Sequence, residues 1–209
     1  VKETYLRAAA VAADFLSAPA VAGAWAKPSA LEMMSVGGLA AHLSRQITMV
    51  PELVEGPVEP DAPIVSLLGH YTRVRWRGQP LDNETNQQIR GSAEDLAAPG
   101  PAAIAIDANL ALTAIPDVLD ADDRGIVYLP WTGWSLRTAD FLATRTLEIV
   151  VHTDDLAASV GLPTPEFGAD AVDVVVTLLA RLSVQRHGAV PVLRGLARAE
   201  RAPVSIAAI

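Results

Sequence analysis

Cysteine is absent from this 209-residue chain. That excludes disulfides, thiolate metal sites and a cysteine nucleophile together, so any thiol chemistry needs a thiol from outside. Basic residues are few: 16 Lys and Arg stand against 24 Asp and Glu, a formal charge of −8. Such a balance repels phosphate, which argues against nucleic acid and anionic membrane surfaces as partners. Long apolar runs are also missing. Residues 147–151 and 174–179 come closest, broken by Glu148 and Thr177, and both fall well short of the roughly 18 residues of a membrane span. The amino end has Lys2 and Glu3 before an alanine-rich run that contains Asp14. No signal peptide is expected from that pattern, and the expected location is cytoplasmic. Charged residues make only 19% of the chain and hydrophobic ones 51%, so a folded core is expected rather than disorder. No internal repeat is visible, and residues 1–209 are expected to form a single domain.

What is present reads as helix. Residues 3–18 carry Tyr5, Leu6, Ala9, Ala13 and Leu16 near helical spacing, with Pro19 as the stop. Trp25, Pro28 and Ser29 belong to a loop. Ser35 is an N-cap, and a second helix is expected from 36 to about 49, ended by Pro51. Four prolines and four acids between 51 and 63 suggest an exposed connection. A helix is expected over 64–77, broken at Gly78 and Pro80. Another, capped by Asp82 or Asn83, runs to about 97, and after the turn at Pro99-Gly100 residues 101–120 are expected to be helical up to Pro116 or just beyond. Residues 125–129 look like a strand and 130–134 like a turn. Ser135 would then cap a long helix to 160, closed by Gly161 and Pro163. Residues 169–185 form a further helix ending at Gly188, and Pro191 opens a last one to about 198. The sum is mainly α, a helical bundle with a small β or irregular insertion.

The helix over 135–160 carries the chemistry. Glu148 and His152 lie four residues apart, about 40° on the helical wheel. Asp155 and Thr144 share their stripe. Leu147 and Val151 flank one side, Ile149 and Leu156 the other, so the helix is apolar nearly all round and expected to be buried. A buried carboxylate costs several kcal/mol unless it is paired or binds a metal. Glu-x-x-x-His offers two ligands to one divalent ion; a plain ion pair or a core histidine with a local partner fits the same spacing. A catalytic zinc site takes three protein ligands and keeps a position open. The third candidates are His42, in a stretch of small residues after Gly37-Gly38, and His70 and His187, which sit beside Arg73 and Arg186 and look more exposed.

Three stretches resemble the mycothiol-dependent maleylpyruvate isomerase family, within the DinB/YfiT-like superfamily. The first is Trp25 to His42, with Pro28-Ser29, Ser35-Val36 and Leu39-Ala-Ala-His42. The second and most specific runs from Arg145 to Gly161 as Arg-Thr-Leu-Glu-Ile-Val-Val-His-Thr-Asp-Asp-Leu. The third includes Arg186-His-Gly, Leu193-Arg194 and Ala199-Glu-Arg-Ala202. The resemblance covers nearly the whole chain. It implies a DinB/YfiT-like four-helix bundle with extra helices, and a zinc-type site of two histidines and a glutamate: His42, Glu148 and His152. Nickel, iron or manganese could take the same ligands. It further implies mycothiol as co-substrate and a small electrophilic or carboxylated substrate. The thiol would add to an activated carbon, giving isomerisation if it leaves after a double bond rotates, or S-transfer if it stays. Asp155 is expected to orient His152 rather than to act as a fourth ligand. Many relatives carry an aromatic residue where Asp154 stands, and Asp154 is expected at the surface. The family's isomerase also has a small carboxy-terminal domain that this sequence does not include, so the metal site is expected to persist independently of maleylpyruvate activity.

Trp131 and Trp134 are candidates for the mouth of a cofactor pocket, although packing that pins the insertion accounts for them too. Arg73, Arg75 and Arg77 around Trp76 fit solvated charges at a helix carboxyl end. Arg194, Arg198 and Arg201 form a stripe suited to ion pairs or to a carboxylated ligand. A metal-holding or ligand-sensing bundle without turnover, forming a homodimer or binding a partner, is the alternative function.

Overall fold

The computed structural model describes residues 1–74 and 83–209. Arg75, Trp76, Arg77, the break at Gly78 and Pro80, and the alternative cap Asp82 lie outside the described residues. The elements in order are α1 (Lys2–Leu16), α2 (Pro19–Gly23), α3 (Val36–Glu55), β1 (Ile64–Val65), α4 (Leu67–Arg73), α5 (Glu84–Ala97), α6 (Pro101–Ala121), β2 (Ile126–Leu129), β3 (Trp134–Arg137), α7 (Thr138–Val160), α8 (Ala169–His187) and α9 (Ala189–Ala197), followed by a short 3-10 turn at Ala199–Arg201.

Four of these helices close a bundle. α1 packs against α6 and α7, and α3 packs against the same two from the other side. α1 can approach closely because its inner face is built of Ala8, Ala9, Ala12 and Ala13, with Tyr5 and Leu16 at the ends. The Tyr5 hydroxyl, fully buried, donates to the Gln46 carbonyl at 3.1 Å and so meets its hydrogen-bond requirement across the core. α5 covers α3, while α4 and α8 build a second layer over α7 and α9 packs on α8. That layer has its own apolar cluster of Tyr71, Leu147, Val175, Leu178, Leu182 and Ala208.

α3 starts where the sequence predicts. The Ser35 side chain accepts from Gly38 N at 2.9 Å, and Glu94 from α5 accepts from both the backbone N and the hydroxyl of Ser35 at 2.7 Å. A Cβ at Gly37 would lie 2.8 Å from the Trp25 ring, so only glycine admits that tryptophan. The end of α3 differs from expectation. Pro51 lies inside the helix, which continues to Glu55 because Val50, Leu53 and Val54 are buried against the bundle.

Other boundaries move as well. Pro19 opens α2 rather than merely ending α1. Ile64 and Val65 are a strand rather than the start of a helix, and Ser66 caps α4 by accepting from Gly69 N at 3.1 Å. Asn83 caps α5. Ser135, expected as a helix cap, lies in β3 and is buried, and α7 begins three residues later. The sheet has the order β1-β3-β2, with β1 parallel to β3 (Ile64 opposite Ser135) and β2 antiparallel to it (Leu129 opposite Trp134). Val65, Val127, Leu129 and Leu136 turn inward from it into the main core. α7 stops as expected at Gly161, in the left-handed region at φ 70°, with Leu162 N bonded to Ala157 O.

α6 is long and apolar enough, by length and composition, to cross a membrane. Inspection of uninterrupted runs misses it because Asp107, Asp117 and Asp120 punctuate the helix. It lies in the bundle with Ile104, Ala108 and Ile115 inward and with Ile106 and Leu110 exposed.

Candidate metal centre

Two helices supply the centre. α3 presents His42 and α7 presents Glu148 and His152 where these helices pack side by side. α7 is anchored on both flanks of this stripe: Leu147, Ile149 and Leu156 are fully buried, and truncating any of them to alanine would cost about 2–5 kcal/mol. The stripe itself therefore has little freedom.

One donor atom from each of His42, Glu148 and His152 lies within 4.8 Å of the others. Glu148 Oε2 is 3.1 Å from His152 Nε2 and 3.9 Å from His42 Nε2. Tetrahedral ligands about 2.0–2.1 Å from an ion stand about 3.3–3.4 Å apart, and the two observed separations bracket that spacing. The imidazole rings of His42 and His152 meet edge to face with centroids 4.9 Å apart. The three side chains are 22%, 15% and 17% exposed in chain order, so the cluster is mostly but not fully enclosed.

The other nitrogen of His152 is occupied as well. Nδ1 donates to Asp155 Oδ2 at 3.0 Å, which leaves Nε2 as the nitrogen facing Glu148 and His42. Burial works against charge on His152, but the hydrogen bonds to Asp155 and Glu148 outweigh it and raise its pKa to about 9. Burial also pushes Glu148 upward; the hydrogen bond from His152 and the nearby His42 ring, with the charges of His152 and Arg145, overcome this and hold the carboxyl well below its usual range. His42 goes the other way, lowered chiefly by burial in spite of its contact with Glu148. Without an ion the centre is thus a carboxylate, an imidazolium and a neutral imidazole.

The remaining sequence candidates fall elsewhere. His70 was expected to be exposed. It is 5% exposed, buried under α7, with Nδ1 accepting from the Trp134 indole N–H at 3.2 Å. Trp134 is a donor only, so neutral His70 carries its proton on Nε2. His187, at the end of α8, bonds the Ala207 carbonyl at 2.8 Å, outside the cluster. Trp131 is 59% exposed at the tip of the β2–β3 hairpin. Asp154 is exposed and accepts from Thr164. Arg201 pairs with Glu200, and Arg198 bonds the Ala197 carbonyl.

Two polar residues beside the cluster carry no role in the sequence reading. Arg145 stands one turn before Glu148 on the same stripe, and Gln46 one turn after His42. Arg145 donates through Nη1 to Gln46 Oε1, and Gln46 Nε2 donates to the His42 carbonyl at 2.8 Å. Helical spacing from the two ligand positions was the available signal.

The family model described as the mycothiol maleylpyruvate isomerase N-terminal domain matches residues 5–157, more than half of the chain. No curated protein and no solved structure gives a significant match. The matched span includes α1, α3 and the part of α7 that carries Glu148, His152 and Asp155, and the chain belongs to the mycothiol maleylpyruvate isomerase N-terminal domain family.

Proposed function

We propose that the chain is a divalent-metal-dependent and mycothiol-dependent enzyme, an isomerase or S-transferase acting on a small electrophile. His42, Glu148 and His152 would be the metal ligands. The observation that carries this reading is the convergence of two imidazoles and one carboxylate within 4.8 Å, in a cluster whose side chains are mostly buried. Two nitrogens and a carboxylate suit zinc, and nickel, iron and manganese accept the same donors. When bound, the ion supplies Lewis acidity that brings the pKa of a thiol toward neutrality.

The chain's own residues have distinct parts. Glu148 offers a carboxylate already ionised, and His42 a neutral imidazole. His152 gives up its Nε2 proton while Asp155 keeps the Nδ1 proton and the ring orientation. Trp131 and Trp134, on the hairpin that leads into α7, would border the thiol pocket. The lack of cysteine agrees with a thiol delivered from outside.

The test is calorimetric. Zinc titrated into metal-free protein should bind once per chain, and mycothiol should then bind only to the zinc-loaded form. Mycothiol that binds equally with and without zinc, or not at all, overturns the proposal.

A further inference from the structure

Arg145 has no carboxylate within ion-pair distance among the described residues. Its guanidinium is instead fixed by neutral contacts: Nε to Thr144 Oγ1 at 3.1 Å, Nη1 to Met49 Sδ at 3.2 Å, the Phe141 ring at 5.5 Å, and Gln46 Oε1. A guanidinium has donors and no acceptor. The atom of Gln46 that meets it must therefore be the amide oxygen, which orients the amide without ambiguity. The –NH2 group then faces the other way. One of its protons goes to the His42 carbonyl at 2.8 Å, and the nitrogen lies 3.4 Å from His42 Nε2, the nitrogen on the Glu148 side. Gln46 is only 3% exposed, so its side chain cannot swing out to water.

An amide nitrogen carries two protons, and only one is satisfied by the carbonyl. The second faces His42 Nε2, whose lone pair accepts it in the tautomer that carries the ring proton on Nδ1. That lone pair is the one His42 would give to an ion, and the second proton then loses its partner beside the cluster. A buried donor in that position favours an acceptor, and most of all an anionic one.

We propose that Gln46 is a fixed hydrogen-bond donor for an anionic sulfur or oxygen entering the His42–Glu148–His152 cluster, and that Arg145 is the positioning residue that fixes it. This rests on the metal reading given above. It makes the centre selective for anionic over neutral ligands by a polar arm from α3, separate from the ligands themselves. A Gln46 that merely braced His42 would affect all incoming ligands alike.

The experiment uses the full chain loaded with cobalt(II), whose visible spectrum reports what enters its coordination sphere. Two probes are titrated: 2-mercaptoethanol, followed by its thiolate charge-transfer band, and imidazole, a neutral ligand that has no lone pair left once coordinated. In Gln46→Met, thiol binding should weaken about 10- to 100-fold, the range for losing a hydrogen bond to a charged group. Imidazole binding should stay within about threefold. Arg145→Leu should show the same selective loss, and Arg145→Lys, which can still donate to the amide oxygen, should recover part of it. If Gln46→Met does not fold, Gln46→Glu keeps the contact with Arg145 and replaces the donor by an acceptor; thiol binding should then fall at least as far. Equal loss of both probes, or no loss of either, overturns the role of Gln46 while leaving the metal site standing. A wild-type chain that takes up no cobalt overturns both.

Discussion

His152 and His70 are both shielded from water, at 17% and 5% exposure, the first on α7 and the second on α4 packed against it, yet their environments push them in opposite directions. His152 has a carboxylate on each nitrogen, and its pKa is raised to about 9 although burial opposes the charge. His70 has an indole N–H on one nitrogen; burial, helped by the charge of Arg145, lowers it to about 4. Burial by itself therefore does not decide the charge of a histidine. Carboxylates on both ring nitrogens outweigh burial at His152, and without them burial prevails at His70. As a proposed ligand His152 would exchange a proton for an ion, whereas His70 is a neutral ring of fixed tautomer.

The sharpest way to break this contrast is to take away the carboxylate shared by the two candidate ligand histidines. Glu148→Gln keeps the shape and removes the charge. Zinc affinity should fall by more than about 100-fold, beyond what losing an outer partner costs, and turnover should disappear. The protein should remain folded by circular dichroism. Retained zinc binding would show that Glu148 is a structural ion-pair residue. Asp155→Asn should have the next largest effect. It leaves all three candidate ligands in place but weakens the hold on His152 Nδ1, and zinc affinity should drop about 10- to 100-fold. The His152 pKa, followed by NMR in metal-free protein, should move down from about 9.

Much of this site is legible in α7 because its partners are local. Glu148, His152 and Asp155 repeat at helical spacing, so sequence alone puts them on one stripe, and Gly161 marks the stop. His42 is different. The small residues around it, against the arginines beside His70 and His187, favour it only weakly, and family resemblance singles it out. The misread elements share a cause. Ser135 before a helical pattern looks like a cap, and Ile64-Val65 looks like helix, because the hydrogen bonds that make them strands are exchanged between segments about 70 residues apart. Pro51 looks like a stop because local propensity ignores the burial that carries α3 past it. Gln46 and His70 acquire meaning only when a side chain from another element, Arg145 or Trp134, is in place.

The two histidines should also leave opposite marks on the pH dependence of stability in metal-free protein. The folded pKa of His152 lies above its ordinary value of 6.5, so its contribution is complete below about pH 6.5 and is lost as pH rises through about 9. For His70 the folded pKa lies below 6.5, so its contribution is complete above that pH and is lost as pH falls through about 4. Urea unfolding at pH 6.5 and 9.5 should show an alkaline loss on the order of 3 kcal/mol that is absent in His152→Asn. Saturating zinc should also remove it, because the ion replaces the proton. An alkaline limb unchanged in His152→Asn would assign it to another group.

The smallest effect should come from Trp134→Phe. It removes the donor to His70 Nδ1 and keeps most of the ring packing against His70. A neutral hydrogen bond of this kind contributes about 1 kcal/mol, and the unfolding free energy should fall by that order. The stronger signature is in the tautomer: nitrogen NMR of the wild type should show His70 protonated on Nε2 alone, and the variant should show a mixture. Zinc affinity should hold within about twofold, because neither residue belongs to the cluster of His42, Glu148 and His152. A tenfold loss would mean that the Trp134–His70 pair supports the metal ligands, and the two histidines would then be parts of one site, coupled through the charges of Arg145 and Glu148 that His70 already feels.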